Sequence, residues 1–247
     1  MHPIVEQQIE RLADYVRQSR RIVFLGGAGV STASGIPDFR SAGGLYGVKG
    51  ALPPEQILSH SFFAAYPEEF FNYYRTNLLH LDAQPNAVHK KLAELERAGK
   101  LLAVITQNID GLHQAAGSKA VLELHGSVHR NYCTRCGKFF GLSDILGMNG
   151  VPRCECGGII KPDVVLYEEG LDQETLQKAV RYIQNAEILI IGGTSLTVYP
   201  AAGLIDYYRG KKLVLINKTA TPMDERADLI ISAPIGEVFE RFLTEGK

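Results

Sequence analysis

The chain has 247 residues, 45% of them hydrophobic and 21% charged, enough to bury one full core with a smaller module attached. A formal net charge of −1 gives no electrostatic argument for nucleic acid or an anionic membrane surface. Met1 to Arg21 is polar rather than a secretory h-region, and no run reaches the ~18 apolar residues of a spanning helix, so a cytoplasmic protein is expected.

In chain order, Met1 to Arg21 reads as an amphipathic segment with Ile9, Leu12, Ala13 and Val16 on one face. The run Ile22-Val23-Phe24-Leu25 is a buried strand closed by glycines, opening the stretch GGAGVSTASGIPDFR, Gly26 to Arg40. Gly27 and Gly29 can take positive φ and let backbone N–H groups approach a phosphate where a side chain would block it. Pro37-Asp38-Phe39-Arg40 then adds a rigid turn, a carboxylate, an aromatic face and a cation. Nucleotide binding with chemistry on the nucleotide is the expectation.

Residues 41–85, rich in aromatics from Phe62 to Tyr74, read as short helices forming a lid or side module. Ala87–Ala98 and Asp172–Gln184 are helical in period, with Asp172 as N-cap. Further strands are expected at Leu101–Thr106, Val121–Leu124, Ile188–Ile191, Leu213–Ile216 and Leu229–Ile231. Continuous apolar runs alternating with helices predict an α/β fold, a doubly wound parallel sheet covered on both faces.

The four cysteines fall between positions 133 and 156. Cys133-x-x-Cys136 and Cys154-x-Cys156 resemble the two knuckles of a zinc ribbon, each followed by glycine. Four thiolates leave no open position, so the ion would be structural. The competing reading is a redox pair or free thiols. The second pair is one residue shorter than the usual knuckle.

Two segments end strands: ITQNIDGLH, Ile105 to His113, and LELHGSVH, Leu122 to His129. Ligands of open α/β sheets bind beyond the carboxyl ends of strands, where Gln107, Asn108, Asp110 and His125 can meet the Gly27–Arg40 loop. Taken singly, His125 reads equally as a structural histidine or a zinc neighbour, and Asn108 and Asp110 as turn formers or caps.

Together these motifs, with GGTSLTVYPA (Gly192–Ala201) and LINK (Leu215–Lys218), occur in the order and spacing of a sirtuin. The chain resembles that silent-information-regulator family of NAD-dependent protein lysine deacylases over about residues 15–240, most closely its compact bacterial members.

The resemblance implies a discontinuous Rossmann-like domain (1–40, 86–126 and 162–247) and a small domain made of a helical module (41–85) and a zinc ribbon (127–161). It implies cleavage of NAD to nicotinamide and transfer of an acyl group from lysine to ADP-ribose, giving O-acyl-ADP-ribose. His125 would be the general base on a ribose hydroxyl, with Asn108 and Asp110 holding the nicotinamide end. Gly27, Ala28, Gly29, Thr32, Asp38, Phe39, Arg40, Gln107 and Ile109 would border NAD. So would Gly193, Thr194 and Ser195 at the phosphates and ribose, Asn217 and Lys218 at the adenosine half, and Ile235 near adenine. Phe39 would shield the reacting carbon from water.

Val164, Val165, Leu166, Tyr167 and Glu168 match the segment on which an acyl-lysine peptide pairs as an added strand. Glu168 stands where the family has glycine, which predicts a preference for basic peptides or, alternatively, a narrower groove. Tyr74 and Asn77 replace the Tyr-x-x-Arg pair of desuccinylating relatives, which predicts deacetylation over desuccinylation. Acyl-lysine proteins are the expected partners, with no nucleic acid and no membrane, and a monomer is the expected state.

Other classes fit less well. For a dehydrogenase, Thr32 breaks G-x-G-x-x-G and the acidic residue expected about 20 positions on is missing. ADP-ribosyl transfer to protein shares the cleavage of NAD. A zinc-ribbon adaptor for nucleic acid lacks a Lys/Arg cluster near Cys133–Cys156.

Overall fold

The structure is a computed structural model that describes residues 3–39, 44 and 52–244. Its centre is a six-stranded parallel sheet of β1 (Ile22–Gly26), β2 (Leu101–Thr106), β3 (Val121–Glu123), β7 (Ile188–Gly192), β8 (Lys212–Ile216) and β9 (Leu229–Ile231). The spatial order is β3-β2-β1-β7-β8-β9. The chain therefore winds outward from β1 in one direction and then returns to β7 on its other side. Every residue of β1 and β7 is buried, which is why these strands read as unbroken apolar runs.

On one face, Phe24, Val104, Ile190 and Val214 pack against α1 (Pro3–Gln18), α5 (Ala87–Arg97) and α9 (Ile235–Thr244). Helix α1 buries the four residues of its predicted stripe, Ile9, Leu12, Ala13 and Val16. On the other, Leu25, Ile105, Leu189 and Leu213 pack against α8 (Gln173–Asn185) and the 3₁₀ segment Ala201–Tyr207. Two helix starts are capped by side chains, the first as the sequence predicts. Asp172 accepts the Thr175 N–H at 2.7 Å, and Asn86 accepts the Val88 N–H at 2.9 Å.

A second sheet, antiparallel and three-stranded, has the order β5-β4-β6, from β4 (Gly126–Cys133), β5 (Phe139–Gly141) and β6 (Ile160–Val164). Strand β6 carries this sheet through Pro162 to Val164. Helices α2 (Pro54–Ile57), α3 (His60–Ala65) and α4 (Pro67–Asn77) lay Phe63, Phe70, Phe71 and Tyr74 against Val128, Val164 and Leu166. The aromatic run is thus the core of the side module. Short helices α6 (Leu112–Ala115) and α7 (Leu142–Leu146) complete the elements used below. Among the described residues no helix is long and apolar enough to cross a membrane.

Candidate active site

Strand order reverses between β1 and β7, and the loops leaving these neighbours part to form a cleft of about 870 Å³. Every sequence-predicted NAD and peptide residue within the described set lines it, from Gly27 through Asn108, Asp110 and His125 to Ile235. Arg40 lies outside the described residues.

The glycine turn works differently from expectation. Gly27 has φ −129°, and neither Gly27 nor Gly29 is left-handed. Their N–H groups are already bonded to the Gly192 and Gly193 carbonyls, at 3.3 and 2.8 Å. What demands glycine is contact between the two loops: a Cβ on Gly29 would lie 2.8 Å from Gly193 Cα, and one on Gly27 2.8 Å from Thr194 Cβ. Among the described residues the Ala28 and Thr194 N–H groups carry no hydrogen bond and both residues line the cleft. Behind the turn come two 3₁₀ turns, Ala28–Val30 and Thr32–Ser34, in place of a crossover α-helix.

Deeper in the cleft, polar side chains from three loops interlock. The Ser31 hydroxyl donates to Asp110 Oδ2 (2.6 Å) and accepts from Asn108 Nδ2 (3.0 Å). Asp110 Oδ1 also accepts the Leu112 N–H at 2.9 Å. Ser31 is buried and was not among the residues singled out by sequence; a hydroxyl inside a Gly/Ser-rich loop has no spacing that marks it. Next to the cluster, His125 Nδ1–H donates to the Gln107 carbonyl at 3.0 Å. A carbonyl only accepts, so Nδ1 carries the proton and Nε2 keeps its lone pair. Burial lowers the His125 pKa, opposed by the Gln107 hydrogen bond. The imidazole is held neutral with one basic nitrogen, the form a general base requires. Gln107 Nε2 in turn donates to Thr194 Oγ1 at 3.1 Å, tying the β2 loop to the β7 loop.

At the cleft mouth the segment 164–168 is secured mainly from the small side. The Val165 N–H donates to the His125 carbonyl, and the Tyr167 N–H to the Leu58 carbonyl at 2.9 Å. Glu168 has φ +75°, the conformation that favours glycine at this position. Its carboxylate is exposed, and both oxygens accept from Ser61, at 2.9 Å. Within this segment the Leu166 N–H and carbonyl bond Glu169 in the same turn.

In the second sheet, the four Sγ atoms of Cys133, Cys136, Cys154 and Cys156 lie within 4.8 Å of one another, with 3.4 Å between Cys133 and Cys156 and 3.7 Å between Cys136 and Cys154. Zn–S bonds of about 2.3 Å in a tetrahedron place sulfurs about 3.8 Å apart. The donor set fits one closed zinc site. Gly137 and Gly157 take positive φ beside it, and a Cβ on Gly158 would meet Cys133 Sγ at 2.7 Å. The short second knuckle therefore closes on the same centre.

The Sir2 family model matches residues 27–200. The chain belongs to the Sir2 family. Among other sirtuins, it is 58% identical over 94% of its length to a protein of Clostridium acetobutylicum called an NAD-dependent protein deacetylase, covering 97% of that protein. A Clostridium perfringens protein of the same description is 57% identical, with 97% of this chain and all of that one covered. Solved structures agree: a Sir2 with p53 peptide and NAD+ superposes with a TM-score of 0.86 at 41% identity, covering 96% of this chain and 98% of that one. A Sir2 with deacetylated p53 peptide and 3′-O-acetyl ADP-ribose gives 0.88 at 40% identity, with the same coverage. The sirtuin scaffold thus holds both the cleft and the four-cysteine centre.

Proposed function

We propose that this sirtuin is an NAD-dependent protein lysine deacylase that moves an acyl group from lysine to ADP-ribose, consuming one water, releasing nicotinamide and free lysine and giving O-acyl-ADP-ribose. The observation that carries the reading is the neutral His125, its Nε2 left basic beside the Ser31–Asn108–Asp110 cluster in one cleft. Family membership and relatives described as NAD-dependent protein deacetylases support it.

NAD, when bound, supplies a ribose carbon whose bond to cationic nicotinamide breaks. The chain does the rest. Asn108 and Asp110 orient the nicotinamide end, while Phe39 covers the reacting carbon and excludes water. His125 takes a ribose hydroxyl proton at Nε2. Ala28, Thr32, Gly193, Thr194 and Ser195 hold the phosphates and ribose, and Asn217, Lys218 and Ile235 the adenosine half. Residues 1–40, 86–126 and 162–247 make up the Rossmann-like NAD-binding domain, and 41–85 with 127–161 the small domain.

One zinc ion on Cys133, Cys136, Cys154 and Cys156 holds the ribbon. Acetyl-lysine is favoured over succinyl-lysine: Tyr74 is buried in the aromatic core, and Arg75 is turned to the Met148 and Gly150 carbonyls, at 3.1 and 2.6 Å. The four cysteines are joined by no disulfide and gather at one metal site, which accords with a cytoplasmic enzyme.

Mass spectrometry of acyl-lysine peptides incubated with NAD tests the reading. Lysine release should require NAD, match nicotinamide formation, favour acetyl, and collapse in His125→Ala. Label from NAD appearing on protein instead would support ADP-ribosyl transfer.

A further inference from the structure

We propose that Ser61 and Glu168 form a clasp that sets the conformation of the segment 164–168, making Ser61 a positioning residue for the acyl peptide and not for NAD. The inference rests on reading that segment as the peptide-binding edge.

Glu168 is one of two non-glycine residues with positive φ among those described. Holding a side-chain-bearing residue there strains the backbone, and such a conformation persists where its surroundings over-determine it. The surroundings here are specific. Ser61 N–H donates to Glu168 Oε2 and Ser61 Oγ–H to Oε1, each at 2.9 Å. The flanking residues are held by the same stretch of chain. The Tyr167 N–H donates to the Leu58 carbonyl at 2.9 Å, and its carbonyl accepts the His60 N–H at 3.0 Å. The Glu169 carboxylate takes His60 Nδ1–H at 2.8 Å, Lys161 Nζ at 3.0 Å and, turning back, the Leu166 N–H at 2.9 Å. Residues 58–61 thus grip residues 167–169 one after another.

This grip decides what the segment can offer a peptide. Val165 N–H, both backbone groups of Leu166 and those of Tyr167 are engaged within the protein. Among the described residues, the Val165 carbonyl and the Glu168 N–H have no hydrogen bond. The Glu168 N–H lies in the peptide plane it shares with the Tyr167 carbonyl, and φ at Glu168 sets how that plane sits against the chain that follows. Releasing the carboxylate lets φ relax to the ordinary region, which pulls on the Tyr167 carbonyl–His60 bond that holds the plane and shifts this donor. The clasp therefore acts on peptide affinity through backbone geometry, and Glu168 contributes shape where its charge alone would predict selection of basic residues.

Steady-state kinetics with an acetyl-lysine peptide and NAD, each varied in turn, test the clasp, with thermal unfolding followed alongside. Ser61→Ala should raise the peptide KM about 3- to 10-fold, the equivalent of one net hydrogen bond, leaving kcat and the NAD KM within about twofold. Ser61→Thr, which keeps the hydroxyl, should restore the peptide KM. Glu168→Gly tolerates positive φ but has no carboxylate, so it too should raise the peptide KM, and adding Ser61→Ala to it should change nothing more. A peptide KM unmoved in Ser61→Ala, or both KM values rising together, would overturn the clasp. Inactivity of the wild-type chain on every acyl peptide would instead defeat the deacylase reading itself.

Discussion

The Ser31 hydroxyl donates to the Asp110 carboxylate over 2.6 Å, and the same oxygen takes the Asn108 amide at 3.0 Å. One buried oxygen from the β1 loop therefore fixes two side chains from the β2 loop. Ser31→Ala removes one hydrogen bond from each partner, about 1–3 kcal/mol for the two together. The kcat/KM for NAD should fall roughly 10- to 100-fold, while the far-UV circular dichroism stays unchanged. A variant with wild-type kcat/KM would show that the cluster does not act on NAD.

The His125 pKa is lowered by burial, against the opposing Gln107 bond. A base must be neutral, so a lowered pKa keeps the enzyme active to lower pH than an ordinary imidazole with pKa about 6.5 would allow. The acid limb of kcat/KM against pH should fall below that value in the wild type. An acid limb above it would contradict the assignment.

The cysteine centre predicts one zinc per chain by elemental analysis. Cys154 is buried with Cys133, Ile145 and Ile160, so Cys154→Ala should lose the metal and unfold the ribbon. Strand β4 begins directly after His125 and ends at Cys133, which carries the damage to the site, and activity should be lost with the zinc. Full activity in the zinc-free variant would argue against this coupling.

His89 and His113 are buried against each other, ring centroids 4.6 Å apart. Burial lowers both pKa values, helped at His113 by the neighbouring His89 and opposed at His89 by the Asp110 charge. The unfolded chain takes up these protons near the ordinary pKa of about 6.5, and the folded chain only at lower pH. Stability present above that value is therefore lost as pH falls below it. The urea midpoint should drop between pH 7 and pH 5, and His113→Leu should flatten that slope. An equal slope in the variant would place the acid sensitivity elsewhere.

Gly193 has φ +61°, and a Cβ there would stand 2.5 Å from the Val30 nitrogen. Gly193→Ala must strain its own backbone or push the two loops apart, at a cost of about 2–4 kcal/mol. Chemical denaturation would measure this, and the NAD KM should rise with it. A loss under 1 kcal/mol would show that the loops can part freely.

Local pattern made the large sheet legible. Ile22–Leu25 and Ile188–Ile191 are apolar throughout because both faces of a central parallel strand are covered, and Asp172 caps a helix through a bond made three residues away. The cysteine centre was legible for a similar reason: its knuckles are short-range, and their spacing survives translation into geometry. Ser31 was not legible, since its partners lie 77 and 79 residues along the chain. Nor was the reason for Gly27 and Gly29, which is a loop that follows more than 160 residues later.

By itself the sequence determined the strands of the large sheet, the metal-binding residue types and the family motifs, because periodicity, capping and short ligand spacing are local properties. Only the tertiary structure decided which backbone amides are left for a phosphate, which tautomer His125 holds, and where the Glu168 carboxylate goes. Each of those depends on which hydrogen-bonding groups distant segments have already used, and that is settled only when the segments meet.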